Sequence, residues 1–254
     1  MGKIKYKLET IPVWDALEKN EECFLCSLMK EAENHSIDFY LGSSVMNPET
    51  RVSINEYGFC HHHFQMLSDA NKAQGLALIC DTYLSQSREK LKKSFDSLLN
   101  VNSGRKTNNA VRQFSLELEK REKGCLICTQ MQKRLDRYIY TIIYMANGEK
   151  EFRSALSESK GFCLHHFNEL VNKANEVLGL KDGPDFIKYL TEIELKNLDR
   201  IAKDVLWLTQ KYKSENKDKP FNGCEDAHKR TVSKMVGNFR VIDPIKKQSK
   251  SRMK

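Results

Sequence analysis

The heptapeptide Gly58-Phe59-Cys60-His61-His62-His63-Phe64 returns as Gly161-Phe162-Cys163-Leu164-His165-His166-Phe167, and each copy has a CxxC upstream. Cys23 and Cys26 precede the first copy, Cys125 and Cys128 the second. Cys60 stands 34 positions after Cys26, and Cys163 stands 35 after Cys128. Such a match in two places points to a duplicated module with the ligand pattern CxxC…CxxH. It constrains the fold strongly, because the chain must bring the four residues of each set to one point.

Two residues separated by two others fall nearly one helical turn apart, so both members of a CxxC or CxxH can face one ion. Two such pairs make a tetrahedral Cys3His set of the kind that Zn²⁺ accepts. The spacing assigns Cys23, Cys26, Cys60 and His63 to a first site and Cys125, Cys128, Cys163 and His166 to a second, with two zinc ions expected. With all four positions filled by protein, the metal is expected to be structural, and no catalytic residue is assigned. Each pair opens a helical pattern, where free amides and the positive end of the helix dipole favour thiolate over thiol.

Three alternatives stay open at this point. His62 and His165 are also shared between the copies, so either can replace His63 or His166; the i, i+3 register is preferred because it mirrors CxxC. An iron-sulfur cluster with one histidine ligand is the rival metal chemistry. The sites can also form across the repeats, with Cys23 and Cys26 meeting Cys163 and His166. The remaining thiols, Cys80 and Cys224, have no partner at ligand spacing and read as small apolar side chains.

The pattern between the motifs is helical. Leu25, Leu28, Met29, Ala32, Ile37, Tyr40 and Leu41 recur mostly at steps of three and four, and Met131, Leu135, Tyr138, Ile139, Ile142 and Ala146 do so in the second copy. A long helix is expected after a break at Lys181-Asp182-Gly183-Pro184. Tyr6 to Val13 reads as an extended lead-in, Ser43 to Glu56 as loop, and Asn100 to Asn109 as the domain boundary. The fold class is therefore all-α, with two tandem homologous modules, each holding a Cys3His site. The expected divisions are 1–100 for the first module, 101–109 for a linker, 110–213 for the second module and 214–254 for a C-terminal segment.

Charge is confined to one end. The formal net charge is +8, and the stretch from His228 to Lys254 carries nine Lys or Arg against the single acid Asp243, leaving the rest balanced. A neutral body argues against a nucleic-acid-binding face. A basic tail can still attract phosphates non-specifically and in a salt-sensitive way. No apolar run suits a signal peptide or a membrane span, and the eight cysteines then suit a reducing cytosol. The βαβ setting of a thioredoxin-like CxxC is not evident, and no GxGxxG, Walker A, GxSxG or HExxH motif occurs.

With CxxC, the repeated GFCxxHF element, the early Ile11-Pro12-Val13 and the Lys217-Asp218-Lys219-Pro220-Phe221 ending, the sequence resembles an uncharacterised bacterial family, a domain of unknown function. The likeness runs from Ile11 to about Val236. Phe24 and Leu126 stand where that family usually has proline after the first cysteine. Some of its members carry the label of transporter substrate-binding protein, which does not fit a chain without an export signal. The resemblance implies the duplication and the cysteines, and no activity. The reading that follows is a cytosolic zinc-binding scaffold or binding protein with an unknown protein partner. Its rivals are a nucleic-acid-associated protein using the basic tail and a thiol-based redox or metal sensor.

Overall fold

In the computed structural model, residues 9–102 and 104–246 are described; the parts of the extended lead-in and of the basic tail beyond them lie outside that range. Among the described residues the fold is all-α. Its helices are α1 (Thr10–Glu18), α2 (Phe24–Leu41), α3 (Pro48–Tyr57), α4 (His61–Asp69), α5 (Ala73–Leu99), α6 (Arg105–Arg121), α7 (Leu126–Gly148), α8 (Lys150–Glu158), α9 (Leu164–Lys211) and α10 (Ala227–Val236).

The helices fall into two compact units. One joins the residues up to Glu31 to Arg134–Arg240; the other joins Ala32–Lys133 to the residues from Val241 on. Neither unit is one repeat, since each draws on both halves of the chain.

In the first unit the buried apolar face of α1 is Val13, Ala16 and Leu17. The edge of Trp14 meets Phe152 of α8 at 5.1 Å between ring centroids. Leu135, Ile139, Ile142 and Ile143 of α7 are buried, as are Leu170, Leu190 and Ile193 of α9. Leu135, Ile139 and Ile142 belong to the stripe read from the sequence, and burial of such side chains away from water is the main stabilising contribution, about 1.5–3 kcal/mol for each fully buried large side chain. In the second unit, Ile37, Tyr40 and Leu41 of α2 are buried together with Ile54, Leu67 and Ile79. A run of ring contacts links Tyr40 to Phe59, Phe59 to Phe64 and Phe64 to Tyr83.

Several segments depart from the sequence expectation. The described end of the lead-in is helical: α1 begins at Thr10, and Pro12 sits in its first turn, where a missing N–H costs no intrahelical bond. The stretch Ser43 to Glu56 forms a 3₁₀ turn, Ser43–Met46, followed by α3. Asn47-Pro48 is a helix start: Asn47 Oδ1 accepts from the backbone N–H groups of Glu49 (2.8 Å) and Thr50 (3.2 Å), and Pro48 takes the first helical position. Helix α6 starts at Arg105, inside the expected linker, and Phe114 holds it against Phe95 of α5 at 5.4 Å. The break in α9 lies at Gly179 (φ 77°, ψ 176°), ahead of the expected Lys181–Pro184.

Candidate metal sites

The four motif halves share one local construction. Cys23 and Cys125 immediately precede α2 and α7, while Cys60 and Cys163 are the N-cap residues of α4 and α9. The second ligand of each pair lies in the first turn that follows. Glycines at positive φ, Gly58 (65°) and Gly161 (71°), turn the chain into the two GFC segments. Backbone N–H groups of the first turns reach back to the leading sulfurs: Cys26 N to Cys23 Sγ (3.4 Å), Cys128 N to Cys125 Sγ (3.5 Å) and His166 N to Cys163 Sγ (3.4 Å). Two helix N-termini therefore face each cluster, an arrangement that stabilises negative charge on sulfur.

The partition of ligands corrects the tandem assignment. Cys23 and Cys26 gather with Cys163 and His166, and Cys125 and Cys128 gather with Cys60 and His63. Each CxxC is completed by the CxxH of the other repeat. In site A, in the first unit, His166 Nδ1 lies 3.4 Å from Cys23 Sγ, 3.3 Å from Cys26 Sγ and 3.5 Å from Cys163 Sγ, and the sulfurs of Cys26 and Cys163 are 3.7 Å apart. In site B, in the second unit, His63 Nδ1 lies 3.2 Å from Cys60 Sγ, 3.3 Å from Cys125 Sγ and 3.4 Å from Cys128 Sγ, with Cys60 and Cys128 sulfurs 3.8 Å apart. Aromatic and backbone contacts follow the same exchange. Phe24 packs on Phe162 at 4.8 Å beside site A, and Leu126 N donates to Gly58 O at 3.2 Å beside site B.

The histidine register is His63 and His166, each through Nδ1. His62 and His61 are exposed, and His165 is half-buried outside the cluster. Beyond the clusters the two imidazoles differ. His63 Nε2 is 3.0 Å from Oε1 of the buried Glu33 on α2, which also lies 3.4 Å from His62 Nε2. His166 Nε2 is buried with no hydrogen-bond partner among the described residues. Sequence reasoning missed Glu33, an acid on an amphipathic helix with nothing local to mark it.

It also missed the closure of site A. The Nζ of Lys234, on α10 and fully buried, donates to the carbonyls of Lys160 (2.6 Å), Phe162 (2.7 Å) and Glu22 (3.3 Å), and lies 3.3 Å from Glu194 Oε1. It thereby ties together the loops that lead into Cys163 and Cys23. Burial pushes the Glu194 carboxyl up, against the opposing pull of Lys234. At the end of α10, Gly237 (φ 75°) passes so close to the cluster that a Cβ would sit 2.8 Å from Cys163 Sγ, and Asn238 N donates to Cys26 Sγ at 3.3 Å. In the second unit the chain continues past the other CxxC: Asp243 Oδ2 accepts from Gly124 N (2.6 Å), and Ile245 N donates to Thr129 Oγ1 (2.8 Å).

Within each cluster the ionisable groups are shifted in opposite directions. Burial opposes a charged imidazole at His63, yet hydrogen bonds with Cys128, Cys60 and Glu33 raise it to about 11. His166 is raised to about 9 against the same penalty by Cys163 and Cys26. Cys60 is held low by hydrogen bonds with Cys125 and Cys128, and Cys163 by those with Cys23 and Cys26. Burial pushes the Cys23 thiol up, and hydrogen bonds with Cys128 and Cys60 push up that of Cys125.

A family model described as "Family of unknown function (DUF6062)" matches residues 4–241. The chain belongs to that family. It is also similar to an "Uncharacterized 23.9 kDa protein in xynA 3'region" of Caldicellulosiruptor sp. (strain Rt8B.4), with 24% identity over 186 residues, which cover 72% of this chain and 82% of that protein. No solved structure matches the chain. The resemblance drawn from the motifs is thus to the right kind of family, an uncharacterised one with a bacterial relative. Among the described residues, no helix is long and apolar enough to cross a membrane.

Proposed function

We propose that each cluster holds one zinc ion and that the two ions are structural, making the protein a zinc-stapled helical scaffold. The observation that carries this reading is the size of the clusters. Ligands at about 2.3 Å (sulfur) and 2.0–2.1 Å (nitrogen) on a tetrahedral ion lie roughly 3.8 Å apart sulfur to sulfur and roughly 3.6 Å apart sulfur to nitrogen. Sulfur pairs at 3.7 and 3.8 Å and sulfur–nitrogen pairs at 3.2–3.5 Å fit a single ion in each site. An iron-sulfur cluster would need its ligands spread around several irons and their bridging sulfides. Three soft thiolates with one imidazole suit zinc, and four protein donors leave no position for substrate.

The proposed setting is the cytosol, where the thiolates stay reduced, with a protein as the partner. Of the basic residues after His228, Lys234 is buried and Arg230 pairs with Asp204 and Asp226 at 2.7 Å, so part of that charge is engaged within the first unit. That favours the scaffold over a nucleic-acid role. Elemental analysis of purified protein with thiol counting tests the metal reading. The expected result is two zinc per chain with the five buried cluster thiols unreactive until a chelator is added; one metal or none, or stoichiometric iron with sulfide, would overturn it. Chelation should also unfold the chain, because structural zinc contributes on the order of 10–16 kcal/mol in such sites, comparable with the stability of a whole domain.

A further inference from the structure

The two clusters have the same donors and differ in access. In site A the residues Cys23, Cys26 and Cys163 are 6%, 3% and 0% exposed, with Gly237 lying against the sulfurs of Cys163 and Cys26 and Asn238 N donating to that of Cys26. In site B, Cys125 and Cys128 are fully buried but Cys60 is partly exposed, the one cysteine of the six that is not buried. The two residues after it, His61 and His62, are exposed as well. Cys128 Sγ lies 3.8 Å from Cys60 Sγ on the buried side, with Cys125 in the same cluster.

We propose that Cys60 is a redox modification site through which hydroperoxides release the metal of site B while site A stays loaded. The proposal rests on the zinc reading and adds regulation to it. The Cys60 thiolate attacks the terminal oxygen of a hydroperoxide; the O–O bond breaks, a sulfenic acid forms on Cys60, and the departing alkoxide takes a proton from water. The Cys128 thiolate then attacks the Cys60 sulfur, forming the S–S bond and breaking the S–O bond, and hydroxide leaves and is protonated to water. Two electrons pass from the two sulfurs to the peroxide. Site B loses two of its four ligands, and its zinc departs as the free ion. In site A the Gly237–Asn238 segment covers the sulfurs of Cys163 and Cys26, and Cys23 is itself buried. In a loaded site every ligand sulfur is a thiolate, so access decides which oxidises first, and Cys60 is the one ligand cysteine that is not buried.

The test uses the full chain carrying Cys80→Ser, which removes the exposed thiol that is not a ligand. The protein is loaded with zinc, its metal is counted, and it is treated with hydrogen peroxide while a chromogenic chelator follows release and mass spectrometry maps disulfides. One equivalent should leave with a Cys60–Cys128 bridge, and the second at least about tenfold more slowly. A second variant, Cys60→His, keeps a nitrogen ligand while removing the oxidisable sulfur, and should bring site B down to the slow rate of site A. Two equivalents leaving together, a first disulfide among Cys23, Cys26 and Cys163, or wild-type release from Cys60→His would overturn the proposal and leave the zinc reading standing. Fewer than two equivalents before peroxide is added would overturn the zinc reading, and this proposal with it.

Discussion

Among single residues, Glu33 makes the sharpest prediction. A carboxylate on the outer nitrogen of a ligating imidazole fixes its orientation and raises its basicity, and loss of such a partner costs about 10–100-fold in metal affinity. Glu33→Gln should therefore weaken site B by that factor and leave site A unchanged, since His166 Nε2 has no comparable partner among the described residues. Competition titration with a chelator of known affinity reads both sites, and equal weakening of the two would show that Glu33 acts on the fold as a whole. The eight clustered cysteines and histidines themselves were legible because each occurs twice in the same local frame. Glu33, Lys234 and Gly237 were not, because each acts on residues remote in sequence: Glu33 lies 30 positions from His63, and Lys234 lies 72 from Phe162.

At the scale of the element, α10 decides whether site A is closed. Its Lys234 is 1% exposed and holds three backbone carbonyls and the buried Glu194. Removing one member of a buried charged pair leaves the other uncompensated and typically costs about 3–5 kcal/mol. Lys234→Ala should lower the unfolding free energy from denaturant titration by that amount and speed zinc loss from site A selectively; a loss of stability with zinc release from both sites unchanged would mean that α10 stabilises the first unit without guarding its metal. The helices themselves were largely readable from apolar periodicity, and α2 and α7 bury the stripes that the sequence displays. Helix α3 was hidden by chemistry with two readings, since Asn-Pro starts a turn as readily as it caps a helix, and only Asn47's bonds to Glu49 and Thr50 decide between them. Helix α6 has no buried residue, so its start at Arg105 rests on contact with α5 rather than on local preference.

Across the whole molecule, the decisive feature is the exchange of ligand pairs between repeats. Spacing could not reveal it, because a CxxC closed by its own CxxH and one closed by its twin's use the same residues at the same local geometry. Only the three-dimensional path of α2 and α7, each of which passes from one unit into the other, settles which pairs meet. The exchange has a direct consequence for fragments. If each repeat carried its own site, peptides 1–100 and 110–254 would each bind one zinc as tightly as the full chain. With the ligands exchanged, each fragment holds half of site A and half of site B and lacks the folded partner for both, so its affinity should fall by at least about two orders of magnitude. Mixing the fragments should restore two tightly held zinc ions per pair, with helicity rising in step, because metal binding and folding of each unit are then one event. Titration of each fragment and of the mixture, followed by circular dichroism and chelator competition, separates the two architectures. Tight, independent binding by either fragment alone would return the molecule to a tandem pair of modules.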